Sequence, residues 1–304
     1  MKKKIRIALG GAGTETHVRS IIETVNDFDV KHEFTISCLP SRNAYFTHLH
    51  TFDIYQELFG YHATTRYIIN KMLGKKNICF WIGSDVLLAR ADGKALRRTL
   101  FTAKFVDLQL AISPNLVEEL KPIGIHASEW MIPVKNIEAL PIYPLPDTFA
   151  VLTYLPDQHH QFYGSAVIYQ LAEELPEIPF MVIGGNAANQ KTLPNLQYLG
   201  WVQDMESIYK RTSVLIRATQ HDGCARMITE ALARGINVIF KAHKRPFCHH
   251  AVTYNQIKKT LLSLRENLWV NEAGAEYVRR TYQYEKLGNQ LLDIYRALHY
   301  GGER

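Results

Sequence analysis

Residues 214–240, VLIRATQHDGCARMITEALARGINVIF, decide the fold. VLI is a short β-branched run of the kind that forms a buried strand. HDG interrupts it. Cys224, Met227, Ile228, Ala231 and Leu232 then recur at i, i+3, i+4, i+7 and i+8, the apolar stripe of a helix. Gly235 ends that helix and NVIF opens another strand. Two carboxylates, Asp222 and Glu230, belong to this unit. Asp222 stands at the expected helix entrance, where it would cap the first turn. Glu230 lies off the apolar stripe, one turn beyond Arg226. Free backbone N–H groups at a helix start attract anions, and a carboxylate beside them accepts hydrogen bonds from sugar hydroxyls. On residue types alone, an ordinary capped surface helix fits equally well.

The same alternation runs outward along the chain. KIRIAL (4–9) reads as a strand, followed by the turn GGAGTETH and a helix carrying Val18, Ile21, Ile22 and Val25 at helical spacing. HEFTISCL is a second strand. Strand, turn, helix and strand in this order imply a parallel sheet. The glycines do not form a dinucleotide fingerprint. Gly11-x-Gly13-x-x-Thr16 lacks the third glycine, and no acid ends the second strand. NICFWIG (77–83) is a strand that runs into Ser84 and Asp85, and LQLAISP (108–114) is another. KNIEALPIYPLPD (135–147) holds three prolines and reads as a linker. Beyond it come TFAVLTYLP, a helix over 164–175, FMVIGG (180–185) and NLQYLGWV. YEKLGNQLLDIYRAL (284–298) closes the pattern with Leu287, Leu291, Ile294 and Leu298 on one helical face.

The 304 residues suit two α/β domains, expected at 1–143 and 144–283, and 47% of the chain is hydrophobic, enough for two cores. Cys38, Cys79, Cys224 and Cys248 are scattered, which favours a reducing, cytoplasmic setting. MKKKIRIAL has too short an apolar run for a signal peptide, and no stretch approaches a membrane span. A net charge of +6 favours anionic partners, either nucleotide sugars or an anionic membrane surface met peripherally. The chain carries no recognised nucleic-acid motif, so nucleic acid is not expected as a partner. A solvated basic surface without a partner is the alternative.

Asp222-x7-Glu230 followed by A-L-A-R-G-I-N-V-I resembles the acidic motif of the family 4 glycosyltransferases, usually Glu-x7-Glu before E-A-(M/L)-A-x-G-x-P-V-(I/V). The likeness extends over nearly the whole chain. It is strongest over 149–240 and weakest over 40–70. It implies a GT-B fold: two Rossmann-like domains with parallel sheets facing across a cleft, the C-terminal helix 284–304 returning to the first. It also implies transfer of a sugar from a nucleotide-activated donor to an acceptor hydroxyl. The acceptor would be a carbohydrate, a lipid-linked sugar or a small molecule, and the anomeric configuration would be retained without a metal or other cofactor.

Carried over residue by residue, Glu230 holds the donor ribose and Asp222 lies near the donor sugar, although Asp there is shorter than the usual Glu. Gly223 and Cys224 belong to the same donor loop. Gly11, Gly13, His17 and Val18 resemble the family's GG-x(n)-HV segment near donor phosphate and acceptor. Ser84 and Asp85 match a G-(S/T)-D variant, which makes Ser84 an acceptor-side residue and Asp85 an acceptor contact or catalytic assist; a helix N-cap is the equal alternative for Asp85. Gly185 and Gly200-Trp201-Val202 would surround the base, with Trp201 also readable as an ordinary core residue.

One departure stands out. The family usually has Arg and Lys after the first strand of the second domain, where they offset the leaving diphosphate. Here that loop, DQHHQFYGS (157–165), has neither. Arg226 is the first substitute and Lys241 the next, with His159, His160 and Tyr163 as weaker donors. Arg217 is expected to support Asp222. The missing pair keeps open a non-catalytic nucleotide-sugar-binding relative, beside a GT-B epimerase or hydrolase. His243, Cys248, His249 and His250 do not match a zinc spacing, and His48-x-His50 reads as an alternating pair that could bind metal on a strand, which a lone pair rarely does.

Overall fold

The computed structural model describes residues 4–11, 15–186 and 191–301. The chain divides into two compact units, residues 1–135 with 282–304, and residues 136–281. Each is an α/β unit built on a six-stranded, all-parallel sheet.

In the first unit the strands are β1 (Ile5–Gly10), β2 (Phe34–Cys38), β3 (Ile54–Leu58), β4 (Lys76–Trp81), β5 (Leu108–Ala111) and β6 (Ser128–Glu129), in the spatial order β2-β1-β3-β4-β5-β6. Helices α1 (Glu15–Phe28), α2 (Arg42–Thr47), α3 (Thr64–Met72), α4 (Ser84–Ala89), α5 (Gly93–Ala103) and α6 (Pro114–Leu120) alternate with them. Every residue of β3 is buried, as a parallel sheet covered on both faces requires.

The second unit contains β7 (Val151–Tyr154), β8 (Phe180–Ile183), β9 (Leu196–Gly200), β10 (Val214–Arg217), β11 (Asn237–Phe240) and β12 (His249–His250), ordered β12-β11-β10-β7-β8-β9. Its helices are α7 (Ser165–Glu174), α8 (Met205–Tyr209), α9 (Arg226–Ala233), α10 (Tyr254–Glu266) and α11 (Glu272–Thr281). Its core joins Val151, Ile168, Phe180, Val214, Ile239 and Leu261, all at most 1% exposed. Both sheets thus have the parallel Rossmann-like architecture expected from the alternation of strands and helices.

The last helix, α12 (Tyr284–Tyr300), belongs to the first unit. Trp130 Nε1 donates to the Leu287 carbonyl at 3.0 Å and Tyr295 Oη donates to Gln56 Oε1 at 2.8 Å. Gly288 lies against the Phe28 ring, where a Cβ would collide. Leu287 and Leu291 face inward as the spacing predicts, whereas Ile294 is half-buried and Tyr295 takes the fully buried position.

The proline-rich stretch does not divide at 143. Residues 136–143 are anchored to the second unit: Tyr143 N donates to the Arg234 carbonyl at 3.1 Å, Arg279 donates to the Leu140 carbonyl, and Ile137 is 0% exposed. Among the described residues, no helix is long and apolar enough to cross a membrane.

Candidate functional site

The second sheet reverses its strand order between β7 and β10. In open α/β sheets, ligands settle outside the carboxyl ends of the strands at such a point. The loops leaving β7 and β10 are knitted together there. Gln220 N donates to the Phe162 carbonyl at 2.9 Å. Gly164, at φ +87°, fits under Ala218 where any Cβ would strike the Ala218 carbonyl.

Arg217 ends β10, and its Nε donates to Asp222 Oδ2 at 2.9 Å. The side chains are 12% and 8% exposed. The Arg217 guanidinium lies 5.2 Å from the Tyr154 ring centre and 5.1 Å from that of Tyr163. The Tyr163 ring therefore packs on the Arg217 guanidinium. The supporting role expected of Arg217 is present. Asp222 is not the N-cap residue that the sequence predicts: α9 starts at Arg226, two residues later than the stripe from Cys224 suggests, and Ala225 occupies its N-cap. The buried pair with Arg217 holds one Asp222 carboxylate oxygen at the strand end.

Glu230 sits one turn into α9. Its Oε1 accepts from Arg226 Nε at 2.8 Å and its Oε2 from Tyr209 Oη at 2.9 Å. Arg226 is 50% exposed and Glu230 19%, so the ion pair is a solvated i,i+4 contact that a ligand can rearrange at little cost. Burial pushes the Tyr209 hydroxyl well above its ordinary value, and Glu230 beside it adds to the rise, so Tyr209 remains a donor. Arg234 fixes this arrangement from below. It stacks 4.5 Å over the Tyr209 ring, donates to the Glu230 carbonyl at 3.0 Å, and pairs with Glu206 on α8 at 2.7 Å. Sequence reasoning missed Tyr209 and Arg234; Arg234 stands four residues after Glu230, a helical spacing that could have revealed it.

Gly223 is buried and Cys224 half-buried in the same loop. Lys241 follows β11, and its backbone N donates to the Arg217 carbonyl at 3.1 Å, which seats it beside the strand end whose Arg217 pairs with Asp222. His160 Nδ1 lies 2.9 Å from Ser165 Oγ at the start of α7.

At the far ends of β8 and β9 the chain turns tightly. Gly184 N donates to the Gly200 carbonyl at 2.8 Å, and Asn186 N donates to Asp157 Oδ1 at 2.7 Å. Gly185 is buried, Val202 half-buried, and Trp201 is 78% exposed. The core reading of Trp201 is thereby excluded: it offers an open indole face beside the carboxyl ends of the strands.

In the first unit, Gly11 follows β1 at φ +126°, His17 is half-buried on α1, and Ser84 is exposed at the start of α4. Gly13 lies outside the described residues. Asp85 is 0% exposed. Its carboxylate folds back to accept from the backbone N–H groups of Ile82, Gly83 and Val86 at 2.7–3.2 Å. Gly83, at φ +153°, makes that turn possible. Burial lifts the Asp85 carboxyl from its ordinary 3.8 to about 6 against the pull of those donors. The acceptor-contact reading of Asp85 is corrected: it organises the turn after β4 and presents no surface to a ligand.

His48 follows helix α2 rather than lying on a strand, and its Nδ1 is 2.9 Å from the Ala44 carbonyl. His249 sits 3.4 Å from Asn237 Oδ1 and against the Trp269 ring. Among the described residues, no group of three His, Cys, Asp or Glu is placed to hold a metal.

No protein-family model matches the chain, and no curated protein matches it in sequence. Solved structures match it in fold. The Anabaena HepE protein in complex with UDP and glucose superposes at a TM-score of 0.75 and 11% identity, covering 97% of this chain and 100% of that one. Sucrose-phosphate synthase of Thermosynechococcus elongatus gives 0.77 and 12%, covering 98% and 100%. The pneumococcal O-GlcNAc transferase GtfA in complex with UDP and GlcNAc gives 0.60 and 15%, covering 84% of this chain and 59% of that one. These neighbours are glycosyltransferases of the GT-B fold, and at such identities the likeness is one of fold alone.

Proposed function

We propose that the protein transfers a sugar from a nucleotide diphosphate donor to an acceptor hydroxyl, with the donor nucleotide held by the second unit. One observation carries this reading. At the switch point of the second sheet, Glu230 stands one turn into α9 with both carboxylate oxygens positioned by partners, in a fold shared with structures that hold UDP. The carboxylate accepts from the ribose hydroxyls, and Trp201 covers the base. The β10–α9 loop meets the sugar and phosphates. The start of α9 faces this loop, and the partial positive charge of a helix N-terminus favours an anion there.

Departure of the diphosphate concentrates negative charge. Arg226, released from Glu230 by the ribose, turns toward it, with Lys241 as the second cation. This assignment answers the absence of Arg and Lys from 157–165. Attack from the donor's front face, assisted by its own phosphate, retains the configuration and needs no metal. The missing Arg/Lys pair also favours one second reading, a protein that binds the donor without turning it over.

One feature favours peripheral work on an anionic membrane, which in this reading is the cytoplasmic inner face. Helix α5 carries exposed Lys94, Arg97 and Arg98 beside Leu100 and Phe101, 37% and 49% exposed.

A thermal-shift screen against UDP, GDP, ADP and their glucose, galactose, mannose and N-acetylglucosamine conjugates tests the reading. Stabilisation by one nucleotide, followed by transfer in the presence of EDTA with the product's anomeric proton matching the donor's, supports it. Binding without transfer to any of a broad set of acceptors favours the second reading. No stabilisation by any compound rejects both.

A further inference from the structure

The first sheet reverses its strand order between β1 and β3. A cavity of about 410 Å³ opens at the carboxyl ends of these strands, lined by Gly11, Arg42, Phe46, Glu57, Phe59 and Arg66 among others. All its walls belong to the first unit. The position is the one where open α/β sheets hold ligands, and the size suits one or two sugar rings.

Glu57, on β3, is paired in register with Gly10 of β1, and its side chain crosses over that glycine. A Cβ on Gly10 would collide with both Tyr55 Oη and Glu57 Oε2. The Glu57 side chain is 5% exposed. Tyr55 Oη donates to its Oε2, and Arg66 Nη2 donates to its Oε1 at 2.7 Å. A carboxylate offers about four acceptor sites, and these two bonds use half of them. Arg66 Nε is buried with no hydrogen-bond partner. A mostly buried ion pair, with Arg66 22% and Glu57 5% exposed, is expensive compared with apolar packing, so its retention on a cavity wall calls for a reason.

Unused acceptor sites on Glu57 and the 22%-exposed side chain of Arg66 on the cavity wall match a vicinal diol, whose hydroxyls both donate and accept. Glu57 repels an anion and already neutralises Arg66, so this wall favours a neutral ligand, and Arg42 is the cation that remains in the lining. The half-buried Phe59 and the 42%-exposed Phe46 supply rings for the C–H face of a sugar.

We propose that this cavity binds a pyranose unit, with Glu57 accepting a hydrogen bond from one ring hydroxyl and Arg66 donating to its neighbour. Its identification as the acceptor's sugar rests on the function proposed above. Glu57 and Arg66 then set acceptor specificity.

Saturation-transfer NMR on the whole protein tests this with the methyl α-glycosides of glucose, galactose, mannose and N-acetylglucosamine, alone and with UDP, GDP and ADP. At least one glycoside should bind saturably and remain bound when the nucleotides are added. Its monodeoxy analogues should identify two adjacent hydroxyls whose loss weakens binding at least tenfold. Glu57→Gln and Arg66→Lys, checked for native melting, should lose a similar factor, and Glu57→Gln should no longer distinguish the parent from the relevant deoxy sugar. A purely structural Glu57 would leave that discrimination intact.

The proposal is overturned if no glycoside binds, if a nucleotide displaces the sugar, or if no adjacent pair of hydroxyls matters. Should either variant fail to fold, the deoxy series on the native protein decides alone. Nucleotide binding without glycoside binding would defeat this proposal and leave the proposed function standing. Glycoside binding without any nucleotide binding would keep the sugar site and remove its role as an acceptor site.

Discussion

Arg217 and Asp222 tie the end of strand β10 to the loop before α9 through a 2.9 Å contact that is nearly closed to solvent. Two tyrosine rings hold the guanidinium in place. Removing one partner of a pair this buried leaves the other charge uncompensated. Arg217→Met keeps most of the packing volume but not the charge. It should cost about 3 kcal/mol of stability, read by chemical denaturation. A loss below about 1 kcal/mol would show the pair to be replaceable by water, as exposed pairs are.

Glu230→Gln keeps an acceptor for the Tyr209 hydroxyl and abolishes the charge that Arg226 and the ribose use. The fold should survive with a loss of about 0.5 kcal/mol, the worth of an i,i+4 pair. Affinity for the cognate nucleotide diphosphate should fall by about 1.5–3 kcal/mol, roughly 10- to 150-fold by calorimetry. Glu230→Ala also strands the buried Tyr209 hydroxyl and should be less stable by about 1–3 kcal/mol. Unchanged affinity in the folded Gln variant would remove Glu230 from the ribose.

Trp201 separates stability from binding. At 78% exposure it contributes little to the core, so Trp201→Ala should change stability by less than about 0.5 kcal/mol. If the indole stacks on the base, nucleotide affinity should fall by about 1–3 kcal/mol. Indole fluorescence should also change on titrating the native protein. Equal affinities would leave the base without this platform.

Asp85 gives the fold a pH signature. Its carboxyl rises from 3.8 to about 6 in the folded chain, chiefly through burial. The neutral form is the one folding favours, so this contribution is complete below about pH 3.8 and disappears as the pH climbs through 6. The swing is on the order of 3 kcal/mol. Compared with Asp85→Asn, which cannot ionise, the native protein should lose relative stability between pH 4 and pH 7. Denaturation of both proteins across that range measures it. A constant difference would place the Asp85 carboxyl at its ordinary value.

Much of the architecture is legible in the sequence because parallel strands must be apolar on both faces. NVIF, VLI and FMVI are such runs, and each forms a strand. The Arg226–Glu230 contact is legible too, since i,i+4 spacing on a helix forces proximity. β3 was hidden. IYQEL carries Gln56 and Glu57 in its interior, and the partners that make those burials tolerable include Tyr295 and Arg66, which lie on helices outside the strand. The six residues of α2 are too few to show a period. Asp85 misled because Ser-Asp after a strand reads the same whether the carboxylate faces a ligand or its own turn. The φ of Gly83 decides between them, and that angle is invisible in the letters. The unit boundary moved for a similar reason: three prolines mark a linker, but the burial of Ile137 is settled by tertiary contacts alone.

The central claim is that the second unit binds a nucleotide diphosphate through the β10–α9 segment and the turns at Gly185 and Trp201. Hydrogen-exchange mass spectrometry with and without the stabilising nucleotide tests it most directly. Slowed exchange should appear over residues 217–230 and 200–202, and these effects should disappear together in Glu230→Gln. Protection that leaves 217–230 unchanged and appears elsewhere in the chain would contradict the account.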